Sequence, residues 1–211
     1  MVSSVSSRDI CAPLTKMPAA DHILTRAHEM FLSVGIRSVS MDDIARELGH
    51  SKKTLYVHFP TKLKLVDRIM QHHLDRERSS IQSLRAKAAN AIDEWLLIFE
   101  HNCRFISTMH PSVIHDLQKY YPKAWSRFKE YKQEFIRHVV MENMDRGRNE
   151  GLYRADADPD IISKVYIHRL EMFADNRLFP ESKYSKATVY ATYSMYHLRG
   201  LVSMKGLDYL E

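Results

Sequence analysis

The chain has 211 residues, a formal charge of +5 at pH 7 and 45% hydrophobic residues, enough to fill the core of one large or two small domains. It contains no uninterrupted apolar run of membrane-spanning or signal-peptide length, which argues against both and gives the expectation of a cytoplasmic protein without a membrane partner. Two cysteines, Cys11 and Cys103, are too few for a disulfide framework or a thiolate metal site.

Six glycines and seven prolines interrupt the chain, and apolar residues recur every three to four positions almost throughout, so the sequence predicts an all-α protein of about nine helices. The Ser-rich residues 1–17 lack periodicity and are expected to form a disordered tail. Ile23, Leu24, Ala27, Phe31 and Val34 then line one face of a first helix that Gly35 closes. Ser40 caps a short second helix with Asp43 reaching back, Met41, Ile44, Ala45 and Leu48 form its stripe, and Gly49 ends it. After the turn Gly49, His50, Ser51, a third helix carries Leu55, Tyr56 and Phe59 until Pro60 stops it.

Thr61 caps a long fourth helix reaching Ala88, and Asn90 caps a fifth that ends before Pro111. A short helix over 113–120 follows, then a long one in which Trp125, Phe128, Tyr131, Phe135 and Val139 step toward Gly147. Asp158 and Pro159 open a helix with Ile162, Val165, Tyr166, Leu170 and Phe173 on one stripe, closed by Phe179 and Pro180. The last helix runs from Ser185 to Val202.

Charge is concentrated at the third helix. Lys52, Lys53, Lys62, Lys64 and Arg68 face a single acid, Asp67, between Ser51 and Arg68. Ser51, Lys52, Lys53 and Thr54 occupy a helix start, where free N–H groups and the positive dipole end favour a phosphate or a base edge. Leu55 and Phe59 are spaced to clamp this helix inward, leaving Lys53, Tyr56 and Val57 on other faces. Two helices joined by a short turn, the second basic at its start, are the arrangement that lays a recognition helix into a DNA major groove.

Gly35, Ser40 with Ile44 and Ala45, Leu48 and Gly49, then "SKKTLYVHF" at 51–59 and Thr61, Lys62 and Leu65 together resemble the tetracycline-repressor-like (TetR) bacterial transcription regulators. The resemblance covers about residues 20–66; "DLQKYYPKAW" and "GLYRADADPDI" look like the ligand-binding part of some members. His50 and Leu63 depart from the family pattern, which has an apolar residue and an acid there. The resemblance implies a helix-turn-helix domain at 18–63 and a ligand-binding and dimerisation domain at 64–211. It implies a homodimer on a palindromic double-stranded DNA operator, most simply as a repressor released or recruited by a small-molecule effector. It further implies that Lys52, Lys53 and Thr54 face DNA beside Ser51, that Tyr56 and His58 contact backbone or bases, and that Ser40 and Lys62 grip phosphates.

In the second half, Phe99, Phe105, Tyr121, Trp125, Phe128, Tyr166 and Phe173 are candidates to line an effector cavity. Aromatic stripes at helical spacing also build plain core. Tyr166, Phe173, Tyr190, Ala191, Ser194 and Leu198 are candidates for a dimer interface in the form of a four-helix bundle. Histidines are numerous, yet no pair has the spacing that sets two imidazoles on one helix face, so neither metal nor other cofactor is expected. No phosphate loop, nucleophile elbow or carboxylate pair supplies a catalytic candidate. The alternative is a helical small-molecule-binding or enzymatic protein without specific DNA binding.

Overall fold

The computed structural model describes residues 19–211, with 176 and 181 excepted, so the expected tail at 1–17 lies outside the described residues. Local capping chemistry sets the first elements. Helix α1 (Ala19–Val34) ends where Gly35 takes φ +88°, and its amide still donates to Phe31 O at 3.0 Å. Ser40 and Asp43 form a reciprocal capping box on α2 (Met41–Glu47). Gly49, at φ +64°, turns the chain into α3 (Lys52–His58), whose cap Ser51 accepts from the Thr54 amide at 3.1 Å.

Thr61 caps α4 (Lys62–Lys87) and Asn90 caps α5 (Ala91–Thr108). Then come α6 (Ser112–Tyr120), α7 (Pro122–Tyr131) and α8 (Arg137–Asn149), the last two joined without a break by a π-helical turn over Lys132–Ile136. Asp158 caps α9 (Pro159–Ala174), Ser185 caps α10 (Lys186–Leu201) and Ser203 caps α11 (Met204–Leu210).

The all-helical reading agrees with this order of elements, with two corrections. The helix expected to run to Phe179 stops at Ala174, because the Asp175 carboxylate accepts the Arg177 amide at 2.9 Å and so draws the backbone into a local turn instead of another helical one. The helix α11 is additional: Ser203 accepts the Gly206 amide at 3.2 Å, and Gly206 lies so close to the Leu152 carbonyl that a Cβ there would meet it at 2.2 Å. No helix among the described residues is long and apolar enough to cross a membrane.

One hydrophobic cluster runs from Ile23 and Phe31 through Leu55, Phe59 and Leu65 to Val113, Leu117, Tyr131 and Val139. The DNA-reading candidates are therefore packed on the same core as α6–α8. A second cluster joins Ile92 and Trp95 of α5 to Met144, Tyr153 and Leu198, and a third gathers around Phe173, Val189 and Tyr190. Charge is also used inside the fold. Glu94, 2% exposed, accepts from Arg85 Nε at 3.0 Å and Arg146 Nη1 at 3.1 Å, while Arg146 closes over the Ala89 carbonyl at 2.9 Å. These bonds fasten the α4–α5 turn to α8, and each partner offsets the desolvation of the others.

Candidate DNA-reading surface and interior cavity

Helix α3 turns its apolar side inward: Leu55 is 0% and Phe59 5% exposed, which buries about 1.5–3 kcal/mol of transfer free energy per side chain. The opposite side is solvent-facing. Lys52, Lys53, Tyr56, Val57 and His58 are exposed, and Lys53 makes no ion pair among the described residues. Lys53, Tyr56 and Val57 stand three and four positions apart and so share one face, with Val57 72% exposed.

Other candidates are already engaged. The Ser51 hydroxyl lies 2.9 Å from that of half-buried Thr54, and Ser40 is exposed but its hydroxyl donates to Asp43 Oδ2 at 2.6 Å. Lys52 pairs with Asp42, which ties the start of α3 to α2. Lys62 is turned inward. Its ammonium donates to the carbonyls of Ile36 (2.6 Å) and Val39 (2.5 Å), and burial lowers its pKa below the ordinary lysine range. The phosphate grip expected of it is replaced by a staple between the start of α4 and the α1–α2 connection.

That same connection is joined to α6. The Arg37 amide donates to Asp116 Oδ2 at 3.1 Å, the Arg37 guanidinium lies over the Tyr120 ring and donates to its hydroxyl at 3.0 Å, and the His110 amide donates to Leu32 O at 2.6 Å. Gly35 is required here, since a Cβ would meet Ser112 Oγ at 2.4 Å.

A cavity of about 250 Å³ lies between the helices of the larger half and α1, which contributes His28, Phe31 and Leu32. Of the seven aromatic residues proposed from sequence, Phe105, Trp125, Phe128, Tyr166 and Phe173 line it; Phe99 and Tyr121 do not. Phe99 instead stacks between Trp95 and Tyr190 at 5.4 and 5.8 Å, and Tyr121 is buried in the first cluster. The lining is mostly apolar, with Val113, Ile114 and Leu117 contributed by α6. A few polar groups converge on it, among them His28, His73, Asn102, Arg169 and His197. The imidazoles are held neutral: burial, reinforced by the nearby Arg76 guanidinium, lowers His28 to about 3, and burial with the charge of Arg169 lowers His197 to about 4.

Periodicity could have pointed to Arg169, which falls three after Tyr166 and four before Phe173 on one stripe. Arginine in an apolar stripe is easily taken for a residue that reaches solvent.

The residues proposed for a dimer interface are mostly consumed within the monomer: Tyr166, Phe173, Tyr190, Ser194 and Leu198 are all buried, and only Ala191 is half-exposed. The outward face of α9 carries Ile161, Val165 and Met172, spaced four and seven apart, and α10 exposes Tyr196. Among the described residues no group of three or more His, Cys, Asp or Glu side chains gathers as a metal site would require.

The model of the bacterial regulatory proteins of the tetR family matches residues 23–69, the span from the core of α1 through α3 into α4. The chain is a TetR-family transcription regulator. It is a DNA-binding regulator and not an enzyme, which closes the alternative of a helical catalyst. The transcriptional repressor KstR2 of Mycobacterium tuberculosis is 24% identical over 143 residues, 66% of this chain and 72% of that protein. The transcriptional activator FasR of Mycolicibacterium smegmatis is 34% identical over 87 residues, 38% of this chain and 40% of that one. A TetR-family regulator from Agrobacterium tumefaciens shares the fold, with a TM-score of 0.70 at 14% identity over 87% of this chain and 97% of that one. The TetR-family match lies on the helix-turn-helix unit, the part whose local signals are strongest.

Proposed function

We propose that this TetR-family regulator acts in the cytoplasm as a homodimeric repressor, that residues 18–63 read a palindromic operator, and that residues 64–211 bind a small-molecule effector and pair with a second copy. In this reading two α3 helices enter successive major grooves about 34–36 Å apart. Lys53, Thr54 and Tyr56 contact base edges and nearby phosphates, with Ser51, Lys52 and His58 at the flanks. Val57, which the sequence leaves on an outward face but does not count among the DNA contacts, offers an apolar contact for a thymine methyl. Ser40 and Lys62 act by holding the loop before α2 and the α2 start in place.

The observation that carries the effector half of this reading is that α6 belongs to two surfaces at once. Its Val113, Ile114 and Leu117 line the cavity, while its Asp116 and Tyr120 hold Arg37 at the entrance to the DNA-reading unit. An occupant that prefers a different placement of α6 shifts the separation of the two α3 helices by no more than its differential affinity for the two placements. The repressor assignment is favoured by the KstR2 relative, which matches a longer span than the activator FasR. For pairing, the outward face of α9 with Tyr196 of α10 is the better candidate, since most of the residues first considered lie inside the monomer.

Fluorescence-anisotropy titration on a selected operator and on a scrambled duplex tests the division of roles. Lys53→Ala and Thr54→Val are expected to lose about 1–3 kcal/mol on the operator and much less on the scrambled duplex. Equal losses on both duplexes would contradict base reading by α3.

A further inference from the structure

We propose that, if the cavity is an effector site as read above, its occupant is an apolar molecule ending in a carboxylate, and that Arg169 receives the carboxylate. Arg169 on α9 is 4% exposed, and it makes no ion pair among the described residues. Its Nε and Nη1 are buried without a hydrogen-bond partner. Tyrosine rings surround it, with the guanidinium carbon 3.4 Å from the centroid of Tyr166, 5.4 Å from that of Tyr190 and 5.6 Å from that of Tyr193. Such rings stabilise the cation through their faces but do not accept its in-plane N–H groups, so two strong donors remain in a site from which water is largely excluded. Leaving a buried charge and its donors unpaired is costly, and a carboxylate is the planar acceptor that matches a guanidinium.

The surroundings favour one negative charge and little else that is polar. His197 lines the same cavity, and its Nε2 is also buried without a partner, so a neutral imidazole stands ready beside the guanidinium. Lys186 is a further cation of the lining, its ammonium donating to Phe179 O at 3.4 Å, and Glu77, the one acid of the lining among the described residues, lies 2.8 Å from His101 Nε2. Apart from His28, His73, Asn102, Lys132 and Asn143, the rest of the wall is aliphatic and aromatic. At about 30 Å³ per water-sized group, a cavity of about 250 Å³ holds roughly eight heavy atoms, close to the ten of octanoate.

Isothermal titration of the full chain with octanoate, 1-octanol and octylammonium tests this. The expected result is a Kd for octanoate at least tenfold below that of either other probe, with the preference over octanol abolished in Arg169→Gln and partly kept in Arg169→Lys. Octanol binding as tightly as octanoate, a preference that survives in Arg169→Gln, or no octanoate binding below its micelle-forming range would each overturn the proposal; the comparison on the unmodified chain decides even if a variant fails to fold. Adding operator DNA separates the two readings. Octanoate that binds through Arg169 without changing DNA affinity leaves the carboxylate site standing and removes the effector role. DNA release by octanol as efficiently as by octanoate does the reverse.

Discussion

Lys62 and the buried histidines show how the surroundings of a residue override its type. A lysine at a helix start beside a DNA-reading unit suggests a phosphate contact, but here two carbonyls, of Ile36 and Val39, take the ammonium. Lys62→Ala is expected to cost about 1–3 kcal/mol of stability, read from urea unfolding, and to leave the salt dependence of DNA binding unchanged. A slope shallower by about one phosphate contact would restore the phosphate grip. His28 and His197 carry a second prediction. Their folded pKa values of about 3 and about 4 lie below the unfolded value of about 6.5, so between these limits the unfolded chain binds more protons and stability falls as pH falls. Urea midpoints measured from pH 7 to pH 5 should decline, each histidine contributing up to about 1.4 kcal/mol per pH unit in that window, and a flat profile would contradict their burial as neutral groups. Periodicity puts Arg169 on an apolar stripe, but the surroundings of Lys62 and Arg169 could not be read from sequence, because what a long cation meets depends on contacts between distant parts of the chain.

The secondary elements were legible where their chemistry is local. Ser40 with Asp43, Thr61, Asn90 and Asp158 cap the helices that the sequence assigned to them, and Ser51 and Ser185, read only as helix starts, also cap theirs. The short α11 was not anticipated, although Ser203 followed by Met204, Leu207 and Leu210 carries the same kind of signal over a single apolar stripe. The π-helical turn at Lys132–Ile136 has no such signal, since the apolar period continues through it. The joint between α1–α2 and α6 depends on Asp116, which is 5% exposed and separated from Arg37 by most of α2–α5. Asp116→Ala should speed amide hydrogen exchange at Ile36–Val39 relative to α10; unchanged protection there would mean that the side chain does not hold the connection.

At the scale of the molecule, a continuous apolar cluster from Ile23 to Val139 ties the DNA-reading helices to the walls of the cavity. That continuity was hidden in the sequence, where periodicity reveals which face of a helix is buried but not against which other helix. It is also why the larger half was harder to read. The residues Tyr166, Phe173 and Tyr190, taken for a surface between two copies, fill the interior of one, and the apolar residues that α9 and α10 leave outside include Ile161, Val165, Met172 and Tyr196. Reading a palindromic operator requires two copies of α3 on one duplex. Selection of bound sequences from a random duplex pool by the purified full chain, followed by sedimentation of the complex, measures this directly. The expected product is an inverted repeat with half-sites about one helical turn apart, bound by two chains in a salt-sensitive manner. Recovery of no symmetric sequence from a folded protein, or a single chain on each duplex, would contradict it.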